Sequence, residues 1–296
     1  MGDRPMGDGP ENLVGAIEAL HRYPVKSMLG ETCHSLPVVA TGVAGDRAWA
    51  VIDEATGKVA SAKGPKLWRG LLGCAVRTLN EAGPAGAVEV TLADGTVRHA
   101  GDPALDDMLS DLTGRTVRLA SVPPDGAELD RAQPAAVLAE GIDADVASDI
   151  LVLGAGAPPG TFLDYAPVHL ITSATLDAMS AALPGEMPVE ETRYRANVVI
   201  RSPAGSPEFA ENDWIGGTLR IGGEVTLRVI LQTPRCAVPM LAHGDLPARQ
   251  GAIRAPAERN RVEIPGFGNQ PCAGVYAEVL QQGTIRTGDR VVFTPG

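Results

Sequence analysis

The chain has 296 residues, 44% of them hydrophobic and 21% charged, a globular composition that excludes whole-chain disorder and a fibrous repeat. Its 25 basic and 36 acidic residues leave a net charge of −11, which argues against a nucleic-acid backbone or an anionic membrane face as the main partner. Any anionic ligand must therefore meet a local basic pocket. Only Lys26, Lys58, Lys63 and Lys66 are lysines, all in the first quarter of the chain, and the remaining basic residues are arginines. The cysteines Cys33, Cys74, Cys236 and Cys272 form no CxxC pair, which disfavours a zinc ribbon or a locally spaced iron–sulfur cluster. No apolar targeting segment opens the sequence and no run reaches the roughly 18 apolar residues of a membrane span. The expectation is a cytoplasmic protein with reduced cysteines that serve as core residues or ligands.

Residues 1–10 are rich in Gly, Pro and Asp and read as a disordered tail. Strand signals dominate the rest of the chain. The apolar run 48–52 leads through a turn at 53–57 into a second run, a hairpin pattern. Val88, Val90 and Leu92 alternate with polar residues before Asp94-Gly95, and Val97 resumes beyond it, the clearest two-residue hairpin in the chain. Similar pairs flank Gly222-Gly223 and Gly288-Asp289. A helix is predicted over 102–112, with Leu105, Met108, Leu109 and Leu112 on one stripe and Gly114 as terminator. A second is predicted over 173–183, capped by Thr172 or Ser173, with Leu176, Met179 and Leu183 on one face and Pro184-Gly185 ending it. The stretch 122–130 is rich in Pro, Gly and Asp and marks a boundary between residues 11–122 and 123–296. There is no internal repeat.

Four segments can carry chemistry, and each has a plainer reading beside it. In Tyr23-Pro24-Val25-Lys26-Ser27, a lysine and a hydroxyl at a strand end can hold a phosphate, or form a solvated loop. In 42–47, GVAGDR, glycines allow a tight turn from which Arg47 can complete a phosphate clamp or merely pair with Asp46 in water. In residues 193–200, period-two geometry places Arg193, Arg195 and Asn197 on one strand face, as a pocket lining or as an edge strand with ion pairs. In residues 232–239, Cys236 follows Arg235 at a strand end and is either a thiolate for a soft metal or a small buried hydrophobe. Two further stretches continue the same order: Phe209-Ala210-Glu211-Asn212-Asp213-Trp214, and residues 283–291, GTIRTGDRV.

Together, over about residues 14–293, these segments resemble the MOSC family, named for the C-terminal domain of molybdenum cofactor sulfurases, and within it the amidoxime-reducing components and their bacterial counterparts. Those proteins share a YPVKS-like segment, a GDR-like turn, an R-x-N-hydrophobic strand, an F/Y-A-E-D-x-W stretch, an R-C motif and a terminal G-T-I-x-x-G-D-x-V. The resemblance implies a mixed α/β, β-rich fold: a MOSC β-barrel domain with an N-terminal MOSC subdomain, the early strand before Lys26 able to join the C-terminal barrel. It implies a molybdenum–molybdopterin cofactor. Lys26, Ser27 and Arg47 match positions that contact the pterin phosphate, and Arg195 and Asn197 match positions lining the pterin. Cys236 matches the thiolate that ligates molybdenum, Arg235 is its matched neighbour, and Thr172 and Ser173 fall near a further pterin-binding segment.

The implied reaction is two-electron reduction of N-hydroxylated small molecules. The chain has no flavin fingerprint, haem motif or ferredoxin cysteine set, so a separate ferredoxin or flavoprotein is the implied electron donor. This sequence departs from the relatives in carrying Pro234 where they carry serine, and in the segment after Cys236, which gives the substrate side a different wall. There His243 and Asp245 can serve as a proton source and its orienting partner, or form an exposed loop pair. His169 reads as a core or backbone-bonded histidine, and His21, His34 and His99 are too scattered for a zinc site. With Lys66 the last lysine, a pyridoxal-phosphate Schiff base in the C-terminal half is excluded. Three alternatives stand beside the reductase: a carrier of the cofactor or of sulfur on Cys236, an enzyme of altered chemistry such as carbon–sulfur bond cleavage, and a β-rich binding protein without cofactor.

Overall fold

The computed structural model describes residues 12–80, 86–153, 157–158, 160–183, 185 and 187–296. The tail read at 1–10 and the helix stop at Pro184 lie outside the described residues. The fold is mixed α/β and β-rich, and its centre is a closed seven-stranded barrel. Strand Val168–Thr172 runs parallel to Val198–Arg201, which pairs antiparallel with Asn12–Arg22. Asn12–Arg22 pairs on its other edge with Arg290–Thr294, next to which lies Thr218–Ile221. Thr218–Ile221 and Val225–Pro234 form the hairpin over Gly222-Gly223. Val225–Pro234 pairs with Gly268–Gln281, and that long strand returns to Val168–Thr172 through His169↔Tyr276. Closure removes every edge from this sheet and leaves one side of each strand to fill the interior. Ile17, Leu20, Leu170, Val198, Ile200, Leu219, Leu227, Val275 and Phe293 fill it.

The parallel pair needs a crossover, and helix Ser173–Ala181 supplies it. Thr172 caps this helix by accepting from the Thr175 amide at 3.2 Å, and the buried Glu211 carboxylate accepts from both Thr172 Oγ1 (2.8 Å) and Thr175 Oγ1 (2.6 Å). Leu176, Met179 and Leu183 are buried as the spacing predicts, although the helix ends two residues before Leu183.

A second hydrophobic cluster, with Val25, Met28, Val51, Trp68, Leu71, Val76, Val90, Leu105, Leu109 and Val117, organises the region before residue 121. Strands Ala75–Asn80, Ala87–Thr91 and Val97–His99 make a meander, with the predicted hairpin between the last two. Helix Pro103–Thr113 starts at the Asp102 side chain, which accepts from the Ala104 amide, and stops at left-handed Gly114. Leu105 and Leu109 are buried, whereas Leu112 is 39% exposed, so the apolar stripe is narrower than the sequence suggests.

Two hairpins predicted from turn residues differ. The 53–57 turn forms, but strand Ala50–Asp53 takes Val117–Ala120 as its ladder partner and keeps only the Ile52↔Val59 bridge across the turn. Val51 and Ile52 are both buried, so the strand needs cover that a hairpin alone does not provide. Gly288-Asp289 is a corner rather than a hairpin, because Gly283–Arg286 pairs with Ser35–Val39 while Arg290–Thr294 stays in the barrel. The 122–130 stretch runs into strand Glu128–Ala132, which pairs with Ser148–Val152. Among the described residues no helix is long and apolar enough to cross a membrane.

The barrel seam has no room for a side chain at Gly274, where φ is +79° and an added Cβ would lie 2.4 Å from the Leu170 carbonyl oxygen and 2.7 Å from His169 Nε2. Gly274→Ala should therefore lower the unfolding free energy by about 2 kcal/mol or more in chemical denaturation. A loss below about 0.5 kcal/mol would show that the seam yields.

Candidate functional site

The first strand of the barrel ends at Arg22, and the chain then runs alongside residues 47–49 through three backbone hydrogen bonds. The Arg47 amide donates to the Tyr23 carbonyl (2.8 Å), the Trp49 amide to Pro24 (3.0 Å) and the Lys26 amide to Trp49 (2.8 Å), around a parallel Val25↔Trp49 bridge. This brings Lys26, Ser27 and Arg47 into one wall of a pocket. Arg195, Asn197, Arg235 and Cys236 line the same pocket.

Charge is concentrated there. Lys26, Arg47, Lys63, Arg131, Arg195 and Arg235 all line the pocket, against one lining carboxylate among the described residues, Asp164. Asp164 Oδ1 lies 2.6 Å from Lys26 Nζ, and Oδ2 lies 3.0 Å from Lys63 Nζ. Burial by itself raises the Asp164 carboxyl, but the two lysines override it and hold it well below the usual carboxylate range. Lys26 also donates to the Phe162 carbonyl at 2.8 Å, and burial brings its ammonium down to about 8 despite Asp164. Arg47 Nη1 is paired at 2.5 Å with Asp46, whose other oxygen accepts the Tyr23 amide, and Arg47 Nη2 donates to the Arg195 carbonyl at 2.9 Å. The Arg47 and Arg195 guanidinium carbons lie 4.6 Å and 4.3 Å from the centre of the Tyr23 ring, a cation–π support for both. Arg195 Nη1 donates to the Met28 carbonyl at 2.7 Å, and burial lowers its guanidinium to about 10. Two buried donors in the lining, Arg195 Nη2 and Arg235 Nε, have no partner within the protein.

Backbone conformation marks the same place. Four non-glycine residues among those described have positive φ, and three of them are Ser27 (66°), Arg47 (46°) and Arg195 (56°). Such conformations cost of order 1–3 kcal/mol each and persist where surrounding contacts over-determine them.

Arg235 follows the strand end at Pro234 and spans the pocket wall. Its Nη2 donates to the Tyr194 carbonyl at 2.8 Å, its Nη1 lies 3.4 Å from His169 Nε2, and its guanidinium carbon sits 5.2 Å from the Tyr194 ring centre. Burial, together with Arg235 and Arg47, keeps His169 well below its ordinary value, so its ring is neutral. Tyr276, paired with His169 across the seam, lines the pocket too, and burial pushes its phenol up so that Oη keeps its proton. Cys236 is 9% exposed and is the lining cysteine. Cys74 and Cys272 are buried elsewhere, and burial raises their thiols to about 11 and 12. Among the described residues no three His, Cys, Asp or Glu side chains converge as a metal-binding group.

The structure thus brings Lys26, Ser27, Arg47, Arg195, Asn197, Arg235 and Cys236 together and leaves five other candidates outside the lining. Residues 193–197 are not a strand: Glu191–Tyr194 is a 3-10 turn and Arg195 is left-handed, so Arg193 does not share a face with Arg195 and Asn197. Arg193 is fully buried beneath the segment after Cys236, donating to the carbonyls of Leu241 (3.0 Å) and Pro247 (2.8 Å) and pairing with Glu190 at 2.7 Å. His243 is buried there also, its Nε2 2.9 Å from the Val238 carbonyl, and burial lowers it to about 4. It is neutral at pH 7 and braces the loop, which is the correction to its reading as a proton source, and Asp245 is exposed beside it. Thr172 and Ser173 serve the helix start, with Ser173 Oγ accepting the Ser202 amide at 3.0 Å. Sequence reasoning missed Lys63, Arg131, Asp164 and Tyr276 and read His169 as core. The lysine crowding before residue 67 is the one signal that could have found Lys63.

Family models match this chain as the MOSC N-terminal beta barrel domain over residues 14–112 and as the MOSC domain over residues 158–292. The fold is that of a MOSC-type barrel protein, and the chain belongs to the MOSC family, which is linked to the molybdenum cofactor. Among solved structures, the YuaD protein from Bacillus subtilis is 10% identical, with 96% of this chain and 98% of that chain covered at a TM-score of 0.44. YiiM from Geobacillus stearothermophilus (17% identity) and from Escherichia coli (14%) each cover 44% of this chain, with 54% and 55% of their own lengths matched and TM-scores of 0.30. No protein of curated function matches the sequence.

Two outcomes test this geometry. Arg193→Met leaves the carbonyls of Pro239, Leu241 and Pro247 without this donor and Glu190 with Arg249 alone, and should cost about 3 kcal/mol, read as a lowered Tm with faster proteolysis between residues 237 and 249. Lys26 carries its charge below about 8 and loses it above. Affinity for sulfate, a dianion throughout, should accordingly fall by about threefold or more between pH 7 and 9 in calorimetry, and Lys26→Arg should flatten the fall.

Proposed function

We propose that the pocket binds a molybdenum–molybdopterin cofactor and that the loaded protein reduces N-hydroxylated or related small molecules, with electrons from a separate ferredoxin or flavoprotein. The observation that carries this reading is the excess of cations around Cys236, with Arg195 Nη2 and Arg235 Nε buried and unpartnered in the same lining. Unmet buried donors are costly, and an anionic ligand satisfies them. The donor set fits as well: Cys236 is a lone soft ligand, so a metal held there takes its remaining ligands from the cofactor.

In this reading Lys26, Ser27 and Arg47 hold the phosphate, Arg195 and Asn197 border the pterin, and Cys236 supplies the protein thiolate. Ser27 Oγ accepts the Ala62 amide at 3.0 Å, which leaves its hydroxyl proton for the ligand. The bound group supplies two-electron redox chemistry at a metal, and the protein orients it. Tyr276 Oη holds a proton in the pocket, in place of the role read for His243. The segment after Cys236, braced by Arg193 and His243, reaches the pocket at Val238 and shapes the substrate side there. The low exposure of Cys236 counts against a carrier that hands a persulfide to another protein.

Metal analysis and oxidised-pterin fluorescence on protein from a cofactor-producing host test the reading. Near-stoichiometric molybdenum and pterin are expected in the wild type, with Cys236→Ala losing the metal while keeping most of the pterin. Metal-free and pterin-free wild type from a host that loads other molybdenum proteins would overturn it. Loaded protein that turns over no N-hydroxylated compound with a chemical reductant would overturn the reductase and leave carbon–sulfur cleavage to be screened.

A further inference from the structure

We infer that Asp164 sets the charge threshold of the pocket: it competes with ligand anions for Lys26 and Lys63, so a phosphate-type dianion engages the two lysines and a monoanion does not. The inference rests on the phosphate-bearing ligand proposed above and names what selects it.

The geometry is that of a competitor. The two carboxylate oxygens divide between the lysines, 2.6 Å to Lys26 Nζ and 3.0 Å to Lys63 Nζ, as two oxygens of one phosphate would. The lysine side chains are 5% and 14% exposed, whereas that of Asp164 is 31% exposed, so the carboxylate is the member of the group that can swing into water. Asp46 has no such freedom. It is 1% exposed and committed to both Arg47 and the Tyr23 amide. The arginines therefore attract any anion, while the lysines are guarded by a charge that an incoming ligand must displace. Displacement carries the same cost for every ligand, but the attraction to the lysines doubles with ligand charge. A cost lying between the two attractions lets a dianion reach the lysines and leaves a monoanion on the arginines.

The test uses metal-free protein and two probes, sulfate as dianion and nitrate as monoanion, titrated at pH 6.5 into wild type, Asp164→Asn and Asp164→Glu. The wild type should prefer sulfate. Asp164→Asn should bind both anions tighter, nitrate because it now reaches the lysines and sulfate by the larger factor, about tenfold or more, because it no longer displaces a charge, while Asp164→Glu, which keeps the charge, stays within about threefold of wild type. Equal gains for both anions, or no gain, would overturn the inference. If Asp164→Asn does not fold, the wild type decides it: the 13C-carboxyl signal of Asp164, assigned by its loss in Asp164→Glu, should shift on saturation with sulfate and not with nitrate, and an unmoved signal overturns the proposal. Cofactor loading is read separately by metal and pterin content, so either idea can fail while the other stands.

Discussion

Burying positive charge inside a net-acidic chain is the constraint around which this structure is arranged. Desolvating a guanidinium or ammonium costs several kcal/mol per ion, and each one must be matched by ion pairs, carbonyls or rings. The matching is visible residue by residue. Asp46 neutralises Arg47, Asp164 spans two lysines, the carbonyls of Met28, Phe162, Tyr194 and Arg195 each accept from a cation, and the faces of Tyr23 and Tyr194 lie beneath guanidinium groups. Within the pocket lining, what is left over is one nitrogen each on Arg195 and Arg235.

The barrel is what makes such an arrangement tolerable. Its strands end at the residues that matter, so Tyr23 follows one strand, Arg235 and Cys236 follow another, and His169 and Tyr276 face each other across the seam. The left-handed backbone at Ser27, Arg47 and Arg195 is held by contacts with these rigid ends. The segment after Cys236 has no sheet of its own, and buried Arg193 takes over by gathering its carbonyls.

Much of this was legible in order of difficulty. Amphipathic spacing and turn residues located helix Pro103–Thr113, the Val97 hairpin and the crossover helix, because those depend on neighbours in sequence. Motif order located seven lining residues, although no local rule says that they meet. Period-two reasoning failed at 193–197 because the segment is no strand: a 3-10 turn runs through Tyr194 and left-handed Arg195 ends it, and the strand begins only at Val198. Asp164 and Tyr276 were invisible for a different reason: their partners Lys26, Lys63 and His169 lie more than a hundred positions away, and nothing in the TFLDYAPV or GVYAEV stretches differs from ordinary loop and strand sequence.

The barrel's first strand lies between Val198–Arg201 and Arg290–Thr294, so the earliest described residues pair with nearly the last. Contacts of such sequence separation form slowly and only when both partners exist. During synthesis, Asn12–Arg22 can pair early only with the short strand Glu31–Cys33; its partners within the ring come much later, Val198–Arg201 and then Arg290–Thr294, and the ring stays open until the latter is free of the ribosome. The cationic pocket hangs from that strand through Tyr23. Its assembly is consequently a late event, and a ligand that needs all its walls can be taken up only by a molecule whose ring has closed.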